Sequence, residues 1–302
     1  MPDYGHPMEF GVFLPPAADT AGEAVALARL ADRLGLELVG VQDHPYNATF
    51  LDSWTLLSVV AASTTSVRVF PDVANLPLRP PAVLARSAAS LDILSGGRVE
   101  LGLGAGALWD AVEAMGGPRR TPGEAVAALA EAIAVIRALW TPGRGARVGG
   151  EHYRLAGARP GPFPPHDIGI WLGAINPRML ALTGRVADGW LPTSSYVPPA
   201  DLGERNAMID EAATAAGRST SDIRRLYNIS GSFTGAGTEF LRGPAPVWVE
   251  QLAELALTDG ISGFVLMVDA DGENELRRFA EEVAPAVREL VAGERRANQG
   301  QA

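Results

Sequence analysis

Two parts of this chain carry groups equipped for chemistry. Asp43 and His44 stand side by side directly after Leu38 to Gln42, an apolar run of strand character. A carboxylate beside an imidazole can hold a proton near neutral pH or hydrogen-bond the edge of a heterocycle. The same two residues would equally serve a plain turn, with Asp43 capping it and His44 packing on Pro45. The second part is backbone. In VELGLGAG (Val99 to Gly106), Val99, Leu101 and Leu103 point one way on a strand, and Glu100, Gly102 and Gly104 the other. A nearly empty face at the end of a strand admits a flat ligand or another backbone. Gly104, Ala105 and Gly106 then leave the strand with exposed amides that suit an anion.

The elements positioning these groups follow from periodicity. Leu91, Ile93 and Leu94 close an apolar helical pattern, and Gly96 and Gly97 supply its C-terminal cap. Strands are predicted at Glu9 to Leu14, Leu38 to Gln42, Val67 to Phe70, from Val99, and at Ile168 to Leu172, Gly189 to Leu191, Arg225 to Ser230 and Gly263 to Val268. Helices are predicted over Thr20 to Leu34, Trp54 to Ala62, Pro81 to Leu94, Gly123 to Trp140, from Pro177, and over Asp201 to Ala216, Pro246 to Leu257 and Glu273 to Val291. The first four strands start at 9, 38, 67 and 99, which suits a repeating βα unit. Alternation alone fits a closed barrel or an open doubly wound sheet, and eight units favour the barrel.

Gly102, Gly104 and Ala107 also fit a dinucleotide-binding G-x-G-x-x-G/A. That fingerprint belongs after a first strand and ahead of a helix. Here it follows the fourth strand, and Gly116, Gly117 and Pro118 interrupt any helix behind it.

The 302 residues are 47% hydrophobic, enough for one large core. A formal net charge of −10 argues against a nucleic-acid partner. With no cysteine there is no disulfide or thiolate chemistry. His152 and His166 have no partner at a zinc-like interval, so no metal site is expected. No apolar run reaches the roughly 18 residues of a membrane helix, and MPDYGHPMEF lacks the parts of a signal peptide. The expectation is a cytoplasmic protein with no membrane partner. Its single domain would span 9–293, with a flexible tail at 294–302. Thr141 to Asp167, rich in Gly, Pro and Arg, forms an insertion after the fourth βα unit, with a small hairpin around Val148 to Leu155. It reads either as a lid at the site's edge or as a surface segment packed on the barrel.

The central stretch resembles the bacterial luciferase-like family of flavin and deazaflavin oxidoreductases. There a helix ending L-D-x-L-S-x-G-R runs into a G-x-G-x-G strand; here Leu91, Asp92, Leu94, Ser95, Gly97 and Arg98 hold those places. The resemblance runs from about Glu9 to Leu290 and implies a (β/α)8 TIM barrel with its site at the strands' carboxyl ends. It implies coenzyme F420, because Asp43–His44 follows the pattern of the deazaflavin users, whereas flavin mononucleotide (FMN) enzymes more often show Glu-His. The implied cofactor contacts are Asp72, Val73, Asn75, Ala105 and Gly106, with Gly173, Ala174, Ile175 and Asn176 as the phosphate loop. Amides ahead of a helix starting at Pro177 suit such a phosphate, although an ordinary tight turn reads the same way. A non-proline cis peptide is implied at Asp72–Val73. Asp43 and His44 are the catalytic candidates, for the proton that accompanies a hydride. Glu100, at the wrong end of its strand, reads as a paired structural carboxylate.

Trp109 and Met267 are candidate substrate contacts, Trp109 as an apolar or aromatic wall or as a core residue under its loop. Asp269 is a further strand-end position. Sugar-phosphate dehydrogenases of this family carry a glutamate where Ala107 stands, which argues against a phosphosugar substrate. The expected activity is hydride transfer between bound F420 and a small organic substrate. The alternatives are an FMN-dependent monooxygenase using molecular oxygen and a non-catalytic flavin-binding barrel. Members of the family are often dimeric.

Overall fold

The computed structural model describes residues 3–237, 239–268 and 272–299. Its strands are β1 (Glu9–Leu14), β2 (Leu38–Val41), β3 (Arg68–Pro71), β4 (Ala74–Asn75), β5 (Leu101–Gly104), β6 (Ala146–Val148), β7 (Leu155–Ala158), β8 (Ile170–Leu172), β9 (Gly189–Trp190), β10 (Arg224–Ile229), β11 (Ser232–Phe233), β12 (Arg242–Gly243) and β13 (Gly263–Met267). The helices are α1 (Ala21–Arg33), α2 (Ser53–Ser63), α3 (Pro81–Ser95), α4 (Trp109–Ala114), α5 (Pro122–Trp140), α6 (Pro177–Val186), α7 (Leu202–Ala215), α8 (Ala245–Thr258), α9 (Gly272–Arg278) and α10 (Ala284–Gln299). Nine segments pair in parallel in the order β3-β2-β1-β13-β10-β9-β8-β5-β4. β3 and β4 are two pieces of one stave, so the two ends of this order meet. A parallel bridge from Val69 to Val99 joins β3 to the approach of β5. The barrel is thus an eight-stave α/β barrel, as the repeat implies.

Alternation divides the core in two. Outward-facing residues such as Val39, Val69, Leu101 and Leu103 pack under the helices. Inside the barrel, Phe13, Leu38, Phe70, Trp171, Leu191, Leu226 and Val265 form a separate cluster, with Val73 and Met267 on it. Below that cluster, at the strands' amino ends, sits a ring of charge. Arg68 bonds Glu100 and, at 2.6 Å, Glu9, which also meets Arg224 at 3.0 Å. Glu100 further accepts the Gly169 amide at 2.7 Å, and burial raises its pKa. Glu100 is therefore a paired structural carboxylate.

The family-like motif before β5 does structural work. Asp92 is fully buried and accepts the Val99 amide at 3.0 Å and His166 Nδ1 at 2.9 Å. Arg98 donates to the carbonyls of Ala61 (2.7 Å) and Val67 (2.9 Å), tying α2 to the start of β3. Gly96 and Gly97 take positive φ, +75° and +86°, as the helix cap requires. Leu94, though apolar, is 83% exposed, and Ile93 is exposed too, so of the three apolar residues only Leu91 turns inward.

Three further expectations change. A helix does open behind the glycine strand: α4 starts at Trp109, but it is short and ends before Gly116. The insertion takes the second of its two readings, a surface segment packed on the barrel: it joins the end of α5 to the start of β8 and runs back along α5 as far as Arg120, whose Nη2 donates to the Tyr153 hydroxyl at 3.2 Å. There the antiparallel β6–β7 hairpin is held by Glu131 of α5, which accepts the amides of Glu151, His152 and Tyr153 at 2.8–2.9 Å. Finally, α10 continues past 293 to Gln299, because ERRANQ is rich in helix formers and Arg295 pairs with Asp3 at 2.5 Å. No helix among the described residues is long and apolar enough to cross a membrane.

The charged ring yields a prediction. Arg68→Met leaves Glu9 and Glu100 without their shared cation, and breaking a buried pair on one side costs about 3–5 kcal/mol. The urea midpoint should fall accordingly, and adding Glu100→Gln should recover part of the loss. A loss below about 1 kcal/mol would place these pairs in the class of surface salt bridges.

Candidate functional site at the strand ends

The interior changes character toward the carboxyl ends. The inner face of β5 is empty because another segment fills it. A Cβ on Gly102 would lie 2.1 Å from the Pro71 carbonyl oxygen, and one on Gly104 would lie 2.8 Å from Val73 Cγ2. A Cβ on Gly173 would come 3.3 Å from the same methyl. Three glycines from neighbouring staves thus bed Val73, which remains half-exposed on its other side. Of the two occupants the sequence allowed on this face, backbone and Val73 fill it. A flat ligand would meet Val73, not the glycines. The Asp72–Val73 peptide bond is cis, as the resemblance implied.

Three buried oxygens around this shelf have no hydrogen-bond partner: Asp72 Oδ2, Asn75 Oδ1 and Asn228 Oδ1. Asp72 Oδ1 accepts Asn228 Nδ2 at 3.1 Å, and the same amide reaches Thr193 Oγ1 at 3.3 Å. Burial pushes the Asp72 carboxyl up to about 7, opposed only by the Asn228 bond. Asn228 was not among the sequence candidates. Asn228 sits in RRLYNI, where a polar residue inside an otherwise apolar strand end was the available signal.

Asp43 is buried and its carboxylate is saturated. Oδ2 accepts Arg79 Nε at 2.5 Å and the Asn75 amide at 2.8 Å; Oδ1 accepts Arg79 Nη2 at 2.6 Å and Ser53 Oγ at 2.9 Å. Arg79 continues to Asp52 at 2.6 Å, and Asp52 caps α2 through the Thr55 amide. Asp43 therefore fixes the start of α2, the exit of the Val73 shelf and Arg79 at once. Arg79 escaped the sequence reading, although an arginine closing the apolar run LPLR marks a cation in need of a buried anion. Asp43 and His44 are neighbours in sequence without a mutual hydrogen bond. His44 is half-buried, and its Nδ1 lies 2.6 Å from the Tyr46 hydroxyl. Desolvation lowers the His44 pKa, while the Asp43 charge acts against it.

Gly106 has φ +108°, and a Cβ there would strike Pro77 and the Trp109 ring. Trp109 is half-buried beside this turn, with Ala105 next to it. Met267, like Val73, packs on the inner cluster, and its stave lies on the opposite side of the barrel from β5, which leads to Trp109. In the second loop Ala174 is buried and its carbonyl accepts Trp190 Nε1 at 2.9 Å, whereas Ile175 and Asn176 are exposed and Asn176 precedes α6 without a side-chain cap. Pro177 is the first residue of α6, as expected. The amides of Ile175 and Asn176 donate to no described group. Asp269 lies outside the described residues.

A parallel eight-stave α/β barrel with a glycine-bedded shelf and orphaned polar atoms at its strand ends defines a ligand-binding barrel of the TIM class. The luciferase-like monooxygenase family model matches residues 8–234, and the chain belongs to that family. It is 34% identical over 72% of its length to the 5,10-methylenetetrahydromethanopterin reductase of Methanolobus tindarius. It is 32% identical over 70% of its length to the F420-dependent glucose-6-phosphate dehydrogenase of Nocardia farcinica. The matches span 63% and 65% of those relatives' own lengths. Among solved structures, an F420-dependent secondary alcohol dehydrogenase in complex with an F420-acetone adduct superposes with a TM-score of 0.82 at 19% identity, over 93% of this chain and 99% of that one. The coenzyme F420-dependent tetrahydromethanopterin reductase of Methanopyrus kandleri gives 0.78 at 20%, over 93% and 99%.

Two predictions rest on this geometry. Because the folded-state pKa of Asp72 is raised, the neutral carboxyl favours the fold at low pH. That contribution should drain away as pH rises from the ordinary 3.8 through about 7. Denaturant titrations should show this decline in the wild type and a flatter profile in Asp72→Asn; equal slopes would mean that the carboxyl titrates normally. Gly173→Val, which would crowd Val73, should weaken ligand binding far more than it lowers the melting temperature. The reverse ranking would make this loop a turn only.

Proposed function

We propose that this protein is an oxidoreductase passing a hydride between a bound deazaflavin, coenzyme F420, and a small organic substrate. The observation that carries the reading is the set of orphaned oxygens on Asp72, Asn75 and Asn228 around the half-exposed Val73 shelf. Burying unsatisfied oxygens is costly; ligand N–H groups would satisfy the amide oxygens of Asn75 and Asn228, and a ligand C=O would accept from Asp72 while that carboxyl keeps its proton. The pyrimidinedione edge of a deazaflavin has that pattern. The names of the matched relatives point to the same coenzyme.

When bound, the deazaflavin would supply two-electron hydride chemistry with little reactivity toward oxygen. Val73 would support one ring face. Asp72, Asn75 and Asn228 would engage its edge, with Ala105 and Gly106 alongside. The free amides of Ile175 and Asn176, in the loop from Gly173, would receive the phosphate ahead of α6. A chain of net charge −10 needs such local donors for an anionic coenzyme, because its overall field is repulsive. His44 would handle the proton that accompanies the hydride, with Asp43 positioning residues around it. Trp109 and Met267 would form apolar walls for the substrate. Ala107, exposed where sugar-phosphate dehydrogenases of the family carry a glutamate, favours a substrate other than a phosphosugar.

Fluorescence titration with each coenzyme tests the reading: F420 should bind tightly and FMN weakly. Tight FMN binding without F420 binding would favour the monooxygenase alternative, and no binding of either by the folded protein would favour a non-catalytic barrel. His44→Ala should leave folding intact and lower F420-dependent turnover at least tenfold, about 1.4 kcal/mol of barrier. Unchanged turnover would remove His44 from the mechanism.

A further inference from the structure

We propose that Tyr46 is a positioning residue that holds His44 in the tautomer with its proton on Nε2, so that the imidazole presents a hydrogen-bond donor to a carbonyl or alkoxide oxygen of the substrate. The part of the claim concerning substrate oxygen rests on the hydride-transfer reading; the tautomer does not.

The argument starts from Asp43. A carboxylate following a strand and preceding a histidine would ordinarily orient that imidazole, but all four hydrogen bonds it accepts here come from Arg79, Ser53 and the Asn75 amide. The described hydrogen-bond partner of His44 is instead the Tyr46 hydroxyl, 2.6 Å from Nδ1, with the two rings 5.4 Å apart and tilted by 57°. Which atom donates is decided by their surroundings. Burial and the Asp43 charge both raise the phenol pKa, so the hydroxyl keeps its proton. The Asn75 side chain favours negative charge on the phenol oxygen, as an amide N–H donor does, which leaves the phenol's own proton for an acceptor. Desolvation keeps His44 neutral, and a neutral imidazole has one acceptor nitrogen. If Nδ1 accepts from Tyr46, the ring proton lies on Nε2. Nε2 is not among the buried atoms without a partner and makes no described bond, so it remains accessible at the mouth. The groups facing His44 are thus Asp43 from the end of β2, Tyr46 and Phe50 from the following loop, and, through Tyr46, Asn75 of β4. Asp43 is the charged one among them.

Long-range 1H–15N spectra of the histidine-labelled protein, without coenzyme, test this directly, and four histidines keep the spectrum assignable. The wild type should show His44 protonated at Nε2. Tyr46→Phe removes the donor to Nδ1, so the tautomers should mix and the His44 pKa should rise by about half a unit or more. Phe50→Leu, which changes a ring neighbour without a polar atom, should leave the tautomer as it is. In the loaded enzyme, Tyr46→Phe should lower kcat about tenfold and move the pH profile upward by the same interval as the His44 titration. A wild-type proton on Nδ1, or a Tyr46→Phe protein with unchanged tautomer and titration, would overturn the proposal. A correct tautomer in a protein that turns over no F420-dependent substrate would leave the positioning intact and reject the hydride-transfer reading alone.

Discussion

The barrel closes where side chains are missing. The Pro71 carbonyl and Val73 enter the interior against Gly102, Gly104 and Gly173, and at Gly102 the approach leaves no room for even a methyl group. The third stave can then be built from two pieces, β3 pairing with β2 and β4 with β5, while the segment between them faces inward. Ring closure and the floor of the mouth are therefore one packing event. A larger residue on these inner faces would push the third stave outward and remove the shelf with it.

The shelf needs an anchor outside the barrel, and the Asp43 carboxylate supplies it. A buried anion is tolerated only when paired and fully hydrogen-bonded. Arg79 gives the charge, and the Asn75 amide and Ser53 complete the shell. This frees His44 from Asp43 and leaves Tyr46 as its partner. The ends of the barrel then divide the electrostatic labour. At the amino ends, Glu9, Arg68, Glu100 and Arg224 compensate one another. At the carboxyl ends, Asp72 and Asn228 bond each other but retain oxygens without a partner. Polar atoms at the first end are paired with one another, and several at the second are left without partners.

What the sequence by itself determined is what depends on local order. Period-two and period-3.6 patterns located the eight staves and their helices, because burial on one face imposes those repeats wherever an element packs. The positive-φ cap at Gly96 and Gly97 and the Pro177 helix start were legible for the same reason: backbone constraints act within a few residues. The L-D-x-L-S-x-G-R run marked the family because Asp92 holds both the Val99 amide and His166 and Arg98 serves several carbonyls, which leaves little freedom of residue type.

Tertiary structure decided the partnerships. Asp43 beside His44 looks like a proton pair until Arg79, distant along the chain, claims the carboxylate. The empty face of β5 could have taken a ligand, and the neighbouring stave took it instead. The long insertion could have been a lid or a surface segment until α5 claimed it, with Glu131 collecting its amides and Arg120 meeting Tyr153. Leu94 shows the limit of pattern reading: it continues an apolar series and still faces solvent, because the helix turns it away from the barrel. Asp72 meets Asn228 only across the barrel interior. Contacts between distant segments depend on which staves become neighbours when the ring closes, and no local pattern encodes that.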